Sequence, residues 1–96
     1  MKAYLVIDLN IVELDGFMTY VQAISELIAK HGGRYLVEGV VPELVSGDSP
    51  PERTVVIEFP DRKTAETFFV ERADSSLKAI FDETTRSRIL LVDGVS

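Results

Sequence analysis

The 96 residues carry 16 acidic and 10 basic side chains, for a net charge of -6, and are 46% hydrophobic and 27% charged. A chain of this length is expected to hold one compact domain over residues 1–96, and its composition matches neither a disordered tail nor a membrane protein. The acidic balance repels phosphate backbones and anionic lipid, which argues against nucleic acid and membrane partners. With no cysteine, disulfides, iron–sulfur clusters, thiolate zinc and thiol redox chemistry are all excluded.

The opening MKAYLVIDLN has a short apolar run interrupted by Asp8 and Asn10, with no small-residue cleavage site after it. It reads as a strand rather than a signal peptide or a membrane span, and the expected location is the cytoplasm. Lys2 to Asn10 alternates with the period of a strand and forms the first one. From Asp15 the period lengthens. Phe17, Tyr20, Val21, Ile24, Leu27 and Ile28 fall on one helical stripe, which Asp15 can cap and Gly32-Gly33 can end.

Arg34 to Glu38 reads as a second strand, with Gly39 and Pro42 marking a bulge or bend before Leu44-Val45 resumes an extended course. The segment GDSPPE at 47 to 52 is a loop, since its prolines and glycine interrupt regular structure, and it should be exposed. Arg53 to Phe59 is the third strand. A helix follows from Pro60-Asp61, with Asp61 as its cap and Ala65, Phe68 and Phe69 on one face. Asp74 offers a second cap before Leu77, Ile80 and Phe81, so this region should break between Arg72 and Ser75. Arg88 to Asp93 is the fourth strand.

The resulting order, strand, helix, strand, strand, helix, strand, predicts an α+β ferredoxin-like βαββαβ fold with an antiparallel four-stranded sheet in order 4-1-3-2 and both helices on one face. Odd-numbered strand positions, including Ala3, Leu5, Ile7, Leu9, Tyr35, Val37, Val55, Ile57, Phe59, Ile89 and Leu91, are apolar and should lie beneath the helices. Even-numbered positions form the open face. A parity-preserving register aligns Leu90, Val6, Val56 and Leu36 in an apolar row across its centre. Arg88, Asp8, Thr54 and Glu38 lie at one end, and Val92, Tyr4, Glu58 and Arg34 at the other. An apolar band between polar rims is organised like an interface, so a second copy of the chain is the expected cover and a homodimer the expected state.

The run GGRYLVEG at 32 to 39, the loop GDSPPER at 47 to 53, VVIEFPD at 55 to 61 and RSRILLVDGV at 86 to 95 together resemble the domain-of-unknown-function 1330 family. The resemblance implies membership of the dimeric α+β barrel superfamily, in which two ferredoxin-like sheets pack face to face. The chain departs from the family's pattern at Ser49, where an aromatic is common, and at Glu71 to Asp74, where a Ser-x-x-Tyr segment is usual.

Two clusters on the open face have the residue types for binding. Tyr4, Arg34 and Glu58 supply a phenol, a guanidinium fork and a carboxylate, able to orient an acidic or carbonyl-bearing small molecule. Asp8 with Arg88 forms the second cluster. The competing assignment, structural ion pairs with a capping tyrosine, is the commoner use of such residues. Asp8 and Glu58 lie too far apart on antiparallel strands to act as a glycosidase pair. His31, the only histidine, belongs to the end of the first helix and builds no metal site alone, and Asp93 and Glu38 are scattered carboxylates. Phe68, Phe69 and Phe81 are expected in the core. No cofactor or metal is expected.

The resemblance implies binding or conversion of a small molecule in a cavity at the open sheet face, with catalysis left open. The alternative is a noncatalytic interaction or regulatory module that uses the acidic surface and the Val40 to Pro51 arm. An RNA-recognition module is excluded because RTVVIEF lacks stacking aromatics on its open face and the charge has the wrong sign.

Overall fold

The computed structural model of the chain describes residues 1–95. Its elements are β1 (Ala3–Ile11), α1 (Leu14–Lys30), β2 (Arg34–Val40), β3 (Arg53–Phe59), α2 (Arg62–Asp74), α3 (Leu77–Thr84) and β4 (Thr85–Asp93). The sheet order is β2-β3-β1-β4, with every neighbouring pair antiparallel, which is the ferredoxin-like arrangement. The fold measures 33 × 33 × 15 Å, the thickness of one helical layer on one sheet, so one sheet face has no covering element.

Alternation along the strands decides which face is buried. Ala3, Leu5, Ile7 and Leu9 of β1 and Ile57 and Phe59 of β3 are buried with Phe17, Tyr20, Ile24 and Ile28 of α1, Ala65 and Phe68 of α2 and Phe81 of α3. Phe59 and Leu5 are the largest fully buried side chains, and the Phe59 ring lies 5.2 Å from that of Phe68. Tyr35, Val55, Ile89 and Leu91 pack half-buried against this core.

Helix α1 ends as expected. Gly32 adopts a left-handed φ of 76° and donates to the Ala29 carbonyl, while Gly33 donates to that of Ile28, which also accepts from the His31 amide. Its start differs. The capping acceptor is the Glu13 carboxylate, which takes a 2.7 Å bond from the Gly16 amide, and Asp15 instead lies inside the first turn, where its charge favours the helix dipole. Asp61 caps α2 through Thr64, as expected. The break before α3 falls at Ser75-Ser76, with Asp74 as the last residue of α2. The Ser75 hydroxyl donates to the Arg72 carbonyl and accepts from the Leu77 amide, so serine takes the role expected of Asp74.

Strands β2 and β4 are longer than expected, and Leu44-Val45 is not a strand. The β1 pairings agree with the expected register: Val6 faces Val56 and Leu90, Tyr4 faces Glu58 and Val92, and Asp8 faces Thr54 and Arg88. On β2 the register shifts twice. Arg34 still faces Glu58, but Val37, not Leu36, faces Val56, and Glu38 faces Val55 instead of joining the Thr54 row. The Gly39 φ of 70° permits the second irregularity, and each extra residue reverses the parity of the positions after it. The 47 to 52 loop is exposed apart from half-buried Pro51, and it is tied to β1 by the Glu52 amide donating to Asn10 Oδ1.

Candidate functional site

The open face carries the sequence-predicted residues in two separated groups. Arg34 Nε donates to Glu58 Oε1 at 3.0 Å, and Lys2 Nζ lies 3.3 Å from the same oxygen. The Arg34 hydrogen bond, opposed by desolvation and reinforced by Lys2, holds the Glu58 carboxyl below the usual carboxylate range. Tyr4 stands opposite Glu58 but, among the described residues, shares no hydrogen bond with it. Its ring packs against the backbone of Gly94, where a β-carbon would lie 2.7 Å from Cε2. At the other end Arg88 Nη2 donates to Asp8 Oδ2 at 2.6 Å. The apolar pairs made by Val6 separate the two groups, so the five residues do not converge on one ligand. Both arginines are about two-thirds exposed in their side chains, and exposed pairs of this kind contribute little to stability.

A cavity lies on the other side of the sheet from the open face. A space of about 290 Å³ lies between the helix-side face and α1, α2 and α3, walled by residues such as Leu9, Ile24, Ile28, Ile57, Phe68 and Ile89. At its edge stand Leu14 and Met18, 59% and 48% exposed, with Glu38 and Arg53 from the β2 and β3 ends. The bulges in β2 bring Glu38 here, away from the open-face row in which the sequence placed it. The open-face expectation comes from the resemblance to the dimeric α+β barrel superfamily. The cavity instead arises because the side chains beneath the helices do not fill the space between the two layers.

Three polar side chains line this apolar space from within: Tyr20, Tyr35 and Arg72. Arg72 is 6% exposed and donates from Nε to the Tyr20 hydroxyl at 3.1 Å. Its guanidinium carbon lies 5.0 Å from the centroid of the Phe81 ring and 5.8 Å from that of Tyr20, in cation–π range of both. Burial raises the Tyr20 pKa against the opposing pull of Arg72, and burial likewise raises that of Tyr35. Both phenols therefore stay protonated at neutral pH. Tyr35 Oη sits 3.1 Å from Ser25 Oγ, whose own proton goes to the Val21 carbonyl at 2.7 Å, so Tyr35 is the donor of that pair.

The sequence signal for this site lies in α2. Ala65, Phe68, Phe69 and Arg72 are spaced three, four and seven residues apart, which puts an arginine on the buried stripe. Tyr20 occupies a stripe position too, where a buried phenol calls for a partner. Phe68 and Phe81 are core residues as expected and also line the cavity, as does half-buried Phe69.

His31 follows the last turn of α1, its ring edge on Phe68 and Nε2 3.4 Å from Glu71 Oε2. Lys30 binds the other oxygen of that carboxylate. The hydrogen bond from Lys30, with a smaller contribution from His31, keeps the Glu71 carboxyl below its usual range. Asp93 pairs with Arg62 at 3.1 Å. Among the described residues no group of three or more histidines, cysteines or carboxylates is placed to hold a metal ion, and no helix is long and apolar enough to cross a membrane.

Sheet order and layer arrangement define a ferredoxin-like α+β protein. The chain belongs to the family described as Domain of unknown function (DUF1330), whose pattern matches residues 2–95. A protein of unknown function from Rhodopseudomonas palustris shares 12% identity at a TM-score of 0.72, over 99% of this chain and 83% of that one. SnoaB, a cofactor-independent oxygenase from Streptomyces nogalater, shares 9% at 0.63, over 99% and 94%. An antibiotic biosynthesis monooxygenase shares 18% at 0.53, over the whole of both chains. At these identities the likeness is one of fold. Among curated proteins no match was found.

Proposed function

We propose that this chain works in the cytoplasm as a homodimer that binds a small, largely apolar molecule in the cavity between helices and sheet. The observation that carries this reading is the cavity itself, about 290 Å³ with apolar walls and a few convergent polar groups, the usual constitution of a ligand pocket. The dimer is supported by the uncovered sheet face, where Leu36, Leu90 and Val92 are each more than 40% exposed beside the Val6–Val56 pair. The charge pairs of Arg34 with Glu58 and Asp8 with Arg88 then serve as its polar rim, and Tyr4 as packing at one end. The oxygenase activity of SnoaB shows what one protein of this fold does. On this chain, binding is the reading proposed.

A second reading, the noncatalytic interaction module, draws on the arm after β2, where Val40, Val41, Leu44 and Val45 are 52%, 69%, 44% and 92% exposed. A thermal-shift panel of small apolar acids, phenols, ketones and amides distinguishes the two. A ligand present at 100 times its dissociation constant adds ~2.7 kcal/mol of stability, so a true ligand raises the melting temperature by several degrees. A flat response across the panel contradicts the binding reading and favours the module.

A further inference from the structure

A guanidinium stays charged at any pH a cell offers, so an arginine taken out of water needs acceptors for its protons. Arg72 is 6% exposed, yet among the described residues no carboxylate lies within ion-pair distance of it. Asp82 on α3 is engaged by Lys78 at 2.7 Å. The Phe81 and Tyr20 rings moderate the charge but accept no conventional hydrogen bond. Of the Arg72 nitrogens only Nε is hydrogen-bonded, and no buried side-chain nitrogen is sealed off without a partner, so the two Nη groups border open space. The space that Arg72 lines is the cavity.

The neighbouring groups add protons, not acceptors. The Tyr20 oxygen already receives Arg72 Nε, and its own proton has no acceptor among the described residues. The Tyr35 proton is committed to Ser25. Arg72 and Tyr20, which line the cavity together with Ile24, Phe68 and Phe81, thus have two Nη groups and one phenol proton left to offer as a donor set. A carboxylate is the complement of that set, because it is acceptor-only and carries the balancing charge. The remaining space takes an apolar body: ~150 Å³ suffices for benzene, and this cavity of about 290 Å³ is roughly twice that.

We propose that the cavity takes a small hydrophobic monocarboxylate, medium-chain alkyl or aryl, with its carboxylate on Arg72 and the Tyr20 hydroxyl and its body among the apolar walls. This rests on the reading of the cavity as a binding site and adds the chemical class of the ligand. Octanoate, 2-naphthoate and the neutral octanamide are the probes, measured by titration calorimetry at neutral pH. The wild-type protein is expected to bind octanoate about ten- to a hundredfold more tightly than octanamide, the range of a buried charge-assisted hydrogen-bonded contact. Arg72→Met should bring octanoate to the octanamide level, Arg72→Lys should keep part of the preference, and Tyr20→Phe should lower it severalfold. Should Arg72→Met not fold, the acid-to-amide ratio on the wild-type protein still decides the matter. Equal affinity for octanoate and octanamide, or a preference for the amide, overturns the monocarboxylate while leaving the cavity a binding site. Failure of both acids and the amide, in a protein whose melting temperature does respond to neutral panel compounds, overturns it likewise. No response to any probe or panel compound overturns both readings together.

Discussion

Val56→Lys is expected to turn the proposed dimer into a monomer, or to prevent folding where association and folding are coupled. Val56 sits in the third strand opposite Val6 at the middle of the uncovered face, with Leu90 beyond Val6 and Val37 on the other side. Face-to-face packing of two such sheets would place a lysine ammonium in a dry apolar band with no carboxylate in its row. An isolated charge in that position costs several kcal/mol. Light scattering at micromolar concentration should give twice the 10.7 kDa chain mass for the wild type and the single mass for the variant. Val70→Lys serves as the control. Val70 is 62% exposed on the second helix, away from the sheet's open face, and its replacement should leave the mass unchanged. A wild-type monomer, or a Val56→Lys dimer, would contradict the interface.

Phe59→Ala is expected to cost about 3–5 kcal/mol of folding stability, the usual range for deleting a buried phenyl ring. Phe59 is completely buried, packs on Phe68 at 5.2 Å, and approaches Gly33 so closely that a β-carbon there would lie 2.8 Å from its ring. The glycine admits this ring and has no side chain of its own to fill the void. Domains of this size are stable by roughly 5–15 kcal/mol, so the loss is a large share of the total. Urea denaturation should show a lower midpoint at nearly unchanged slope. A loss under about 1 kcal/mol would mean that the site collapses around the deletion.

Period and parity made most of the fold legible. Alternation fixed the parity of the β1 pairings, because slipping the register by one residue would turn Leu5 and Ile7 to the open face and Asp8 into the core, and keeping the apolar row of Val6, Val56 and Leu90 continuous chose among the registers that remained. Arg34 opposite Glu58 and Asp8 opposite Arg88 were legible for the same reason. The second strand was legible as an element, and Gly39 marked its second bulge, but its register was not legible beyond Arg34, because the first bulge, around Leu36, has no glycine to reveal it. The capping role of Glu13 was hidden because aspartate is the commoner N-cap and Asp15 stood nearby.

The cavity escaped the sequence for a different physical reason. Alternating polar residues mark the open face visibly, whereas a cavity under the helices depends on how completely apolar side chains fill the interlayer space. Sequence carries that volume poorly. The local signs were Tyr20 on the α1 stripe and Arg72 at the seventh position beyond Ala65 on an apolar stripe, a cation where Leu or Ile would fit.

Where a ligand sits is best decided by methyl resonances, since the cavity and the open face carry different sets. With octanoate titrated into protein labelled at Ile, Leu and Val methyls, the largest shifts should fall on Leu9, Ile24, Ile28 and Ile57, which line the space beneath the helices. Val6, Val56 and Leu90 should stay nearly still. Shifts concentrated on those three open-face residues, with the helix-side set unmoved, would contradict binding between the helices and the sheet.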